Sequence, residues 1–487
     1  MKPFPEHRIR LLNRKEIRTD GGYVLYWMTA NRRLHYNFAL QRAVQWARSL
    51  GKPLLILEAL RCDTRWASDR SHAFLLQGMN QHRRELEGSA VGYFPFVEKK
   101  PGEGKGLLQH LANHAATVIA DDSPAFIFPA MLKRAASLCP VPLEAVDSCG
   151  LVPLQAPNKA FHRAVDFRRY CQKELEGHLQ LRPLRRPLPG SGLPPFKRLP
   201  AGTRKRWPQA TAGLLSAKTT NLQSLPLDHE VTPLPAIGGE KEARKRWRRF
   251  MKQDLDHYGE PNKHLLEEVH SGLSPYLHFG HLSSHEIIQD LYRRAGGFPD
   301  SFPTANRGSV HGWWGLPEAW ERFLDQVITW RELGFQFHHR FENAESYESV
   351  PVWARRSLAK HQKDRRSALY SLETLEAAET GSKLWNAMQR QLITEGRIHG
   401  YLRMLWGKQL LAWFQEPEQA FEALVHLNNR FALDGRDPNS YSGISWCFGR
   451  FDRPWGPERP IYGNVRYMNE AGAGRKFHLA PYLDRFV

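Results

Sequence analysis

The chain has 487 residues, 41% hydrophobic and 24% charged, with a formal net charge of +19. That length exceeds one ordinary core and predicts two or three domains of a soluble globular protein. No apolar run approaches the roughly 20 residues that cross a bilayer, and the basic N-terminal stretch lacks the apolar segment of a secretory signal. Membrane and secreted classes are thereby set aside, and a cytoplasmic protein is expected, nucleoid-associated if bacterial.

Between residues 23 and 148 short apolar runs alternate with helix-length patterns. Strands are predicted at Tyr23–Met28, Pro53–Leu60, Gly92–Val97, Thr117–Ala120 and Leu143–Val146. Helices are predicted over His35–Ser49, Asp69–Glu87, Gly106–His114 and Pro129–Leu138. Such alternation predicts a Rossmann-like parallel sheet covered by helices on both faces, with ligands at the carboxyl ends of the strands. The glycine-rich run Gly102–Gly106 lacks the spacing of a phosphate loop and reads as a flexible connection. A helix pattern over Phe161–Leu179 follows. The stretch 181–239 is dense in Pro, Gly, Arg and Lys, and proline breaks helices, so it reads as a linker or a long surface connection.

Lys241–Lys252 reads as a basic helix start, and from residue 250 onward the pattern is mainly helical: Leu265–Val269, Ser284–Arg294, Pro317–Phe337, Ser367–Thr380, Lys383–Gln415 and Glu418–Phe431. The expected fold class is therefore α/β plus all-α: an α/β domain over 20–150, a connection over 151–240 and a helical domain over 241–487. The five cysteines, Cys62, Cys139, Cys149, Cys171 and Cys447, form no CxxC pair. They suggest neither a zinc site nor a disulfide framework, and fit a reducing compartment.

The charge points to nucleic acid, because each Lys or Arg facing a phosphate releases counterions. The chain also has 15 Trp, and aromatic faces among basic residues suit stacking on unpaired bases. Trp406 and Trp413 are seven apart and share a helix face, with roughly 10 Å of rise between them. With Trp385 they form either a core stripe or a row of indoles able to pass electrons, and spacing leaves both readings open. Ser271, Gly272 and Ser274 precede a predicted helix, where small side chains and free N–H groups suit phosphate oxygens or simply a capped turn. Gln326 and Trp330 are four apart, on one helix face. The turn Asp434–Asn439, with Arg403 upstream, offers carboxylates and a guanidinium to a polar ligand. Trp446 and Trp455 alternate with Arg450, Arg453 and Arg459, as a base-stacking surface would require.

Four ordered segments, SGLSPYLHFGHLS, LWNAMQRQLITEGRIHGYLRMLWGKQLLAW, LNNRFALDGRDPNSYSGISW and FDRPWGPERPIYGNVRYM, resemble signature segments of class II cyclobutane pyrimidine dimer photolyases, within the photolyase/cryptochrome family. The resemblance is dense over 258–487, looser over 20–150 and fades in the connection. It implies an antenna-type α/β domain joined to a helical domain that holds FAD in a bent shape. Tyr258 and Ser271, Gly272, Leu273 and Ser274 would hold the FAD phosphates and ribityl chain. Arg403, Asn428 and the turn residues Asp434, Gly435, Arg436 and Asp437 would line the flavin ring. Asn428 would lie near flavin N5, and Arg403 and Asp434 would form an ion pair beside the ring. The electron chain would run from Trp406 to Trp385 to Trp413 at the surface.

The implied reaction is that of a deoxyribodipyrimidine photo-lyase, a carbon–carbon lyase. Light drives an electron from reduced FAD into a pyrimidine dimer in damaged DNA, the cyclobutane bonds split, and the electron returns. Trp330, Trp446 and Met404 would contact the flipped bases, Gln326 would hydrogen-bond the dimer, and Asp452 and Arg453 would support the surrounding DNA. A monomer is expected. The family usually carries Glu where this chain has Gln326, and exchanging a charged hydrogen bond is worth about 1.5–3 kcal/mol. His35-Tyr36-Asn37 and Arg61–Arg70 also depart from the family pattern, which leaves a second antenna chromophore of deazaflavin or folate type open. The alternatives are a cryptochrome-type FAD photoreceptor with little repair activity and a photolyase for another photoproduct.

Overall fold

The computed structural model describes residues 4–267, 269–303 and 308–487. Six strands form one sheet: β1 (Ile9–Leu11), β2 (Tyr23–Met28), β3 (Leu54–Leu60), β4 (Gly92–Val97), β5 (Ala115–Asp122) and β6 (Leu143–Asp147), in the order β1-β6-β5-β2-β3-β4. All neighbours run parallel except β1, which pairs antiparallel with β6 at the edge. Side chains alternate across a strand, and β2 shows why its six apolar residues are consecutive. Tyr23, Leu25 and Trp27 enter one buried cluster, and Val24, Tyr26 and Met28 enter the other. Both faces are covered, as a parallel sheet requires.

The expected strands are all present, with β5 longer than predicted by residues at both ends. The edge strand β1 was not predicted. The first helix starts at Phe38 rather than His35, because Tyr36 has φ 47° and Asn37 caps the helix by accepting from the Leu40 N–H. The proline-rich connection is anchored rather than loose. Leu193 and Trp207 join the two sheet clusters, and the Trp207 indole donates to the Glu103 carbonyl at 3.1 Å.

The chain divides into two compact units: residues 1–158, 173–249 and 272–302 in the first, and 159–172, 250–271 and 303–487 in the second. The first unit thus takes in the connection, most of the helix Glu240–Gln253 and the helix Ser284–Arg294, beyond the boundary at residue 240 that the sequence suggested.

Several predicted helices differ. Lys383–Gln415 is two helices, Lys383–Glu395 and Gly400–Trp413. Gly396, with φ 68°, ends the first in the left-handed conformation that glycine adopts without strain. Pro317–Phe337 is the α-helix Glu318–Leu324, a π-helical turn Asp325–Trp330 and the α-helix Arg331–Arg340. Ser367–Thr380 shrinks to Leu372–Glu376, started by the Ser371 cap and stopped before Ala378 at φ 57°. The predicted helix Leu265–Val269 is a 3₁₀ turn, Leu265–Glu267, and Glu268 lies outside the described residues. No helix among the described residues is long and apolar enough to cross a membrane.

Candidate functional site

The break at Gly396 brings the three tryptophans together. Across the two helices the Trp385 and Trp406 rings stack at 6.2 Å with 14° between planes. Trp385 then meets Trp413 edge to face at 5.2 Å. The row is therefore Trp406, Trp385, Trp413, with the ring from the earlier helix between two from the later one. The Trp385 indole donates to the Trp406 carbonyl at 3.0 Å, and the Trp406 indole donates to Gln389 Oε1 at 3.1 Å. These bonds fix both rings. Trp413 is not at the surface as expected. It is 7% exposed, against 0% and 1% for Trp385 and Trp406, and the half-buried Tyr370 ring stands edge-on against it at 5.1 Å.

Arg403 lies three residues before Trp406, on the adjoining face of the same helix. Its guanidinium donates to Asp434 Oδ1 at 3.2 Å and to Ser440 Oγ at 3.3 Å, and it also bonds the Asn428 amide oxygen. The Asn428 NH2 donates to Asn429 Oδ1 at 3.0 Å, and Asn429 in turn holds Tyr441 and the Arg436 N–H. The turn is pressed against the helix Pro417–Phe431, since a Cβ on Gly435 would come within 2.9 Å of the Asn428 carbonyl oxygen. Asp437 caps the next helix, Pro438–Cys447, accepting from the Asn439 N–H at 2.8 Å. Arg436 is buried with φ 68°, and burial pulls its pKa down to about 10. Arg403 and Asp434 remain partly open, with side-chain exposures of 20% and 15%.

Tyr258 is half-buried in an aromatic cluster with Phe250 and Phe323. Ser271 and Gly272 are half-buried, Leu273 is buried and Ser274 is exposed. The helix that follows, Ser274–His278, is only five residues long, so the dipole at its N-terminus is small. The Arg246 guanidinium lies 2.9 Å from where a Gly272 Cβ would stand. Sequence reasoning did not single out Arg246, although it belongs to the basic run 241–252.

Gln326 is exposed and Trp330 half-buried, both on the π-helical turn. Such turns often mark functional positions in helices. Asp325, buried beside Gln326, pairs bidentately with Arg168 at 2.8 and 3.0 Å. The helix Arg331–Arg340 continues from Trp330 and crosses Pro438–Cys447 closely. A Cβ on Gly334 would reach the Pro438 carbonyl oxygen at 2.8 Å, so glycine permits the contact that sets the Trp330 helix against the Trp446 helix. Met404 and Trp446 are half-buried. Asp452 is taken up within the chain, by Arg466 at 3.2 Å and the Trp455 indole at 3.1 Å. Arg453 is exposed and stacks on Trp455 at 4.6 Å. Arg450 does not belong to the basic surface: it is 4% exposed, packed against Phe337, Phe341 and Phe451, and burial lowers its pKa to about 10.

Two solved structures share the fold. A bacterial class III photolyase from Agrobacterium tumefaciens superposes with a TM-score of 0.70 at 17% identity, covering 96% of this chain and 86% of that one. An archaeal photolyase from Sulfolobus tokodaii, solved with two FAD molecules, gives 0.63 at 14%, covering 95% and 90%. The architecture is thus that of the photolyases. No protein-family model matches the chain. Curated proteins named deoxyribodipyrimidine photo-lyase match it along its length. The one from Methanothermobacter thermautotrophicus is 33% identical over 483 residues, 98% of this chain and 97% of that protein. Those from Potorous tridactylus and Arabidopsis thaliana are 29% and 28% identical, each over 98% of this chain, covering 84% and 92% of the relatives. The chain belongs to the deoxyribodipyrimidine photo-lyase family.

Proposed function

We propose that this protein is a light-dependent DNA repair enzyme of class II type that splits cyclobutane pyrimidine dimers and uses FAD. The observation that carries the reading is the continuity from the Arg403–Asp434 cradle to the row Trp406, Trp385, Trp413, begun on one helix within a single turn.

The residues present fit a flavin. The cradle offers a guanidinium, a carboxylate, an amide and a hydroxyl, matching the mixed donors and acceptors on the polar edge of such a ring. Arg403, Asn428 and Asp434 would hold the ring, and Tyr258 and Ser271 would hold the rest of the cofactor. Gly272, Leu273, Ser274 and Arg246 are suited to phosphate oxygens. Bound in reduced form, FAD supplies the light-excited electron that opens the cyclobutane ring. The chain's own residues do the rest. Trp330 and Trp446 receive the bases, the Gln326 amide bonds a dimer carbonyl, Met404 packs beside them and exposed Arg453 meets DNA phosphates. Photolyases take their target out of the stack before acting on it. His35 and Asn37, where a second chromophore would draw on the sequence, are used by the fold. His35 pairs with Glu240 at 3.0 Å and Asn37 caps its helix.

The test is to illuminate reduced protein with DNA containing thymine dimers and follow the recovery of thymine absorbance. Recovery is expected. Normal photoreduction without recovery would overturn dimer repair and leave a photoreceptor or a photolyase for another photoproduct. Trp413→Phe should slow light-driven reduction sharply while leaving repair by chemically reduced protein unchanged. If reduction is unaffected, the row does not pass through Trp413.

A further inference from the structure

The helix Gly400–Trp413 carries one charge that none of these roles uses. Lys408 is 0% exposed. Fully buried lysines are rare, because an ammonium surrenders three hydrogen bonds to water. The Lys408 Nζ has no hydrogen-bond partner among the described residues. A methionine would fill similar space without the desolvation cost, so the charge must act on something. What it meets is Trp446: Nζ lies 4.9 Å from the centroid of that ring, within the range of a cation–π contact. The Arg466 guanidinium is 5.6 Å from the same ring and 4.1 Å over Trp455. Gly407, next to Lys408, lets the helix approach Cys447, whose Sγ would stand 2.8 Å from an added Cβ.

We propose that Lys408 is a positioning residue for Trp446, its buried ammonium holding the indole at the angle on which a lesion base stacks. The proposal rests on the reading of Trp446 as a stacking residue. Burial lowers the Lys408 pKa to about 8, so the hold weakens as pH rises through that value. The other groups facing this ammonium are the Cys447 thiol, pushed up to about 11 by burial, and the charges of Asp452 and Arg466. Tyr462 donates to the Lys408 carbonyl at 3.3 Å.

Two measurements test it. The flavoprotein is labelled with 5-fluorotryptophan, and the Trp446 resonance is assigned by its loss in Trp446→Phe. Without DNA and in the dark, that ¹⁹F signal should titrate near pH 8 in the unsubstituted protein and be flat there in Lys408→Met. Affinities for thymine-dimer DNA and undamaged DNA are then compared. Lys408→Met should lose roughly threefold to tenfold in affinity for the lesion and nothing for undamaged DNA, and Lys408→Arg should keep most of the lesion affinity. A Trp446 signal insensitive to both pH and Lys408→Met overturns the proposal, as does an equal loss for both DNAs. Lack of lesion preference in the unsubstituted protein would count against the repair reading, and the fluorine titration would still decide the contact.

Discussion

In the first unit, Glu58 on β3 takes Arg32 at 2.9 Å on one oxygen, with His82 at 2.9 Å and the Tyr93 hydroxyl at 2.6 Å on the other. His82 reaches on to Glu240 at 3.6 Å, which also pairs with His35 and Arg244, each at 3.0 Å. In the second unit, Arg403 meets Asp434 with both side chains partly open. The first network seals two carboxylates among cations at the carboxyl end of a sheet strand. The second leaves its pair where something else can complete it. Both carboxylates of the first network are buried and paired with cations, whereas Arg403 and Asp434 keep part of their surface open. Burial and partnering, more than residue type, separate the two roles.

The largest expected effect breaks the sealed network. His82→Leu leaves Glu58 and Glu240 short of a shared cation, and breaking such a buried pair costs about 3–5 kcal/mol. A urea unfolding series reads this as a lower midpoint, and an unchanged midpoint would mean that the network does not support the fold. The pH dependence follows from the same contacts. Burial opposes the Glu58 charge, but His82 and Arg32 outweigh it and bring its pKa to about 2. Stability from Glu58 is present above the ordinary carboxylate value of 4.5 and is lost as pH falls toward 2. Burial likewise opposes the His82 charge, but Glu58 and Glu240 outweigh it and raise it to about 10. Stability from His82 is present below the ordinary value of 6.5 and is lost as pH rises through 10. His82→Leu should therefore remove the loss of stability near pH 10 that His82 contributes, measured as the unfolding midpoint against pH.

The open pair should behave in the opposite way. Arg403→Leu should cost about 1 kcal/mol or less of stability in the flavin-free protein. Losing a charged hydrogen bond to the ligand should weaken flavin binding by about 1.5–3 kcal/mol, roughly tenfold or more. Fluorescence titration with FAD measures it. Equal stability losses in Arg403→Leu and His82→Leu would erase the distinction between the regions.

What the sequence disclosed follows the same division. Strand β2 was legible to the residue because both its faces are buried, so every position had to be apolar. β1 was not, because three residues with one exposed end carry no pattern. The break in the tryptophan helices had a signal, Gly396 and Gly400 with Ile398 and His399 between them, but the apolar periodicity on either side outweighed it. The π-helical turn had none: WERFLDQVITW reads as ordinary helix, and Arg168, the partner of Asp325, lies 157 residues away. Lys408 and Arg450 look like surface residues in sequence, and only tertiary packing shows the rings that enclose them.

The smallest effect sharpens the comparison at the π-helical turn. Gln326 is exposed while its neighbour Asp325 is buried and neutralised by Arg168. A carboxylate introduced by Gln326→Glu would therefore meet water on one side and an already paired charge on the other. The stability of the free protein should change by less than about 0.5 kcal/mol, as for most surface substitutions. The change should appear when the lesion docks and covers the turn. A carboxyl that takes up a proton once covered donates a hydrogen bond to a dimer carbonyl, where Gln offers only an amide, and a neutral hydrogen bond is worth about 0.5–1.5 kcal/mol. Yield per absorbed photon should rise, and the rise should fade as pH increases and the new carboxyl loses its proton. Arg168→Leu provides the contrast, since it unpairs buried Asp325 and should lower yield through a displaced turn. If Gln326→Glu leaves the yield unchanged or lowers it, Gln326 does not face the dimer, and the turn serves the fold rather than the substrate.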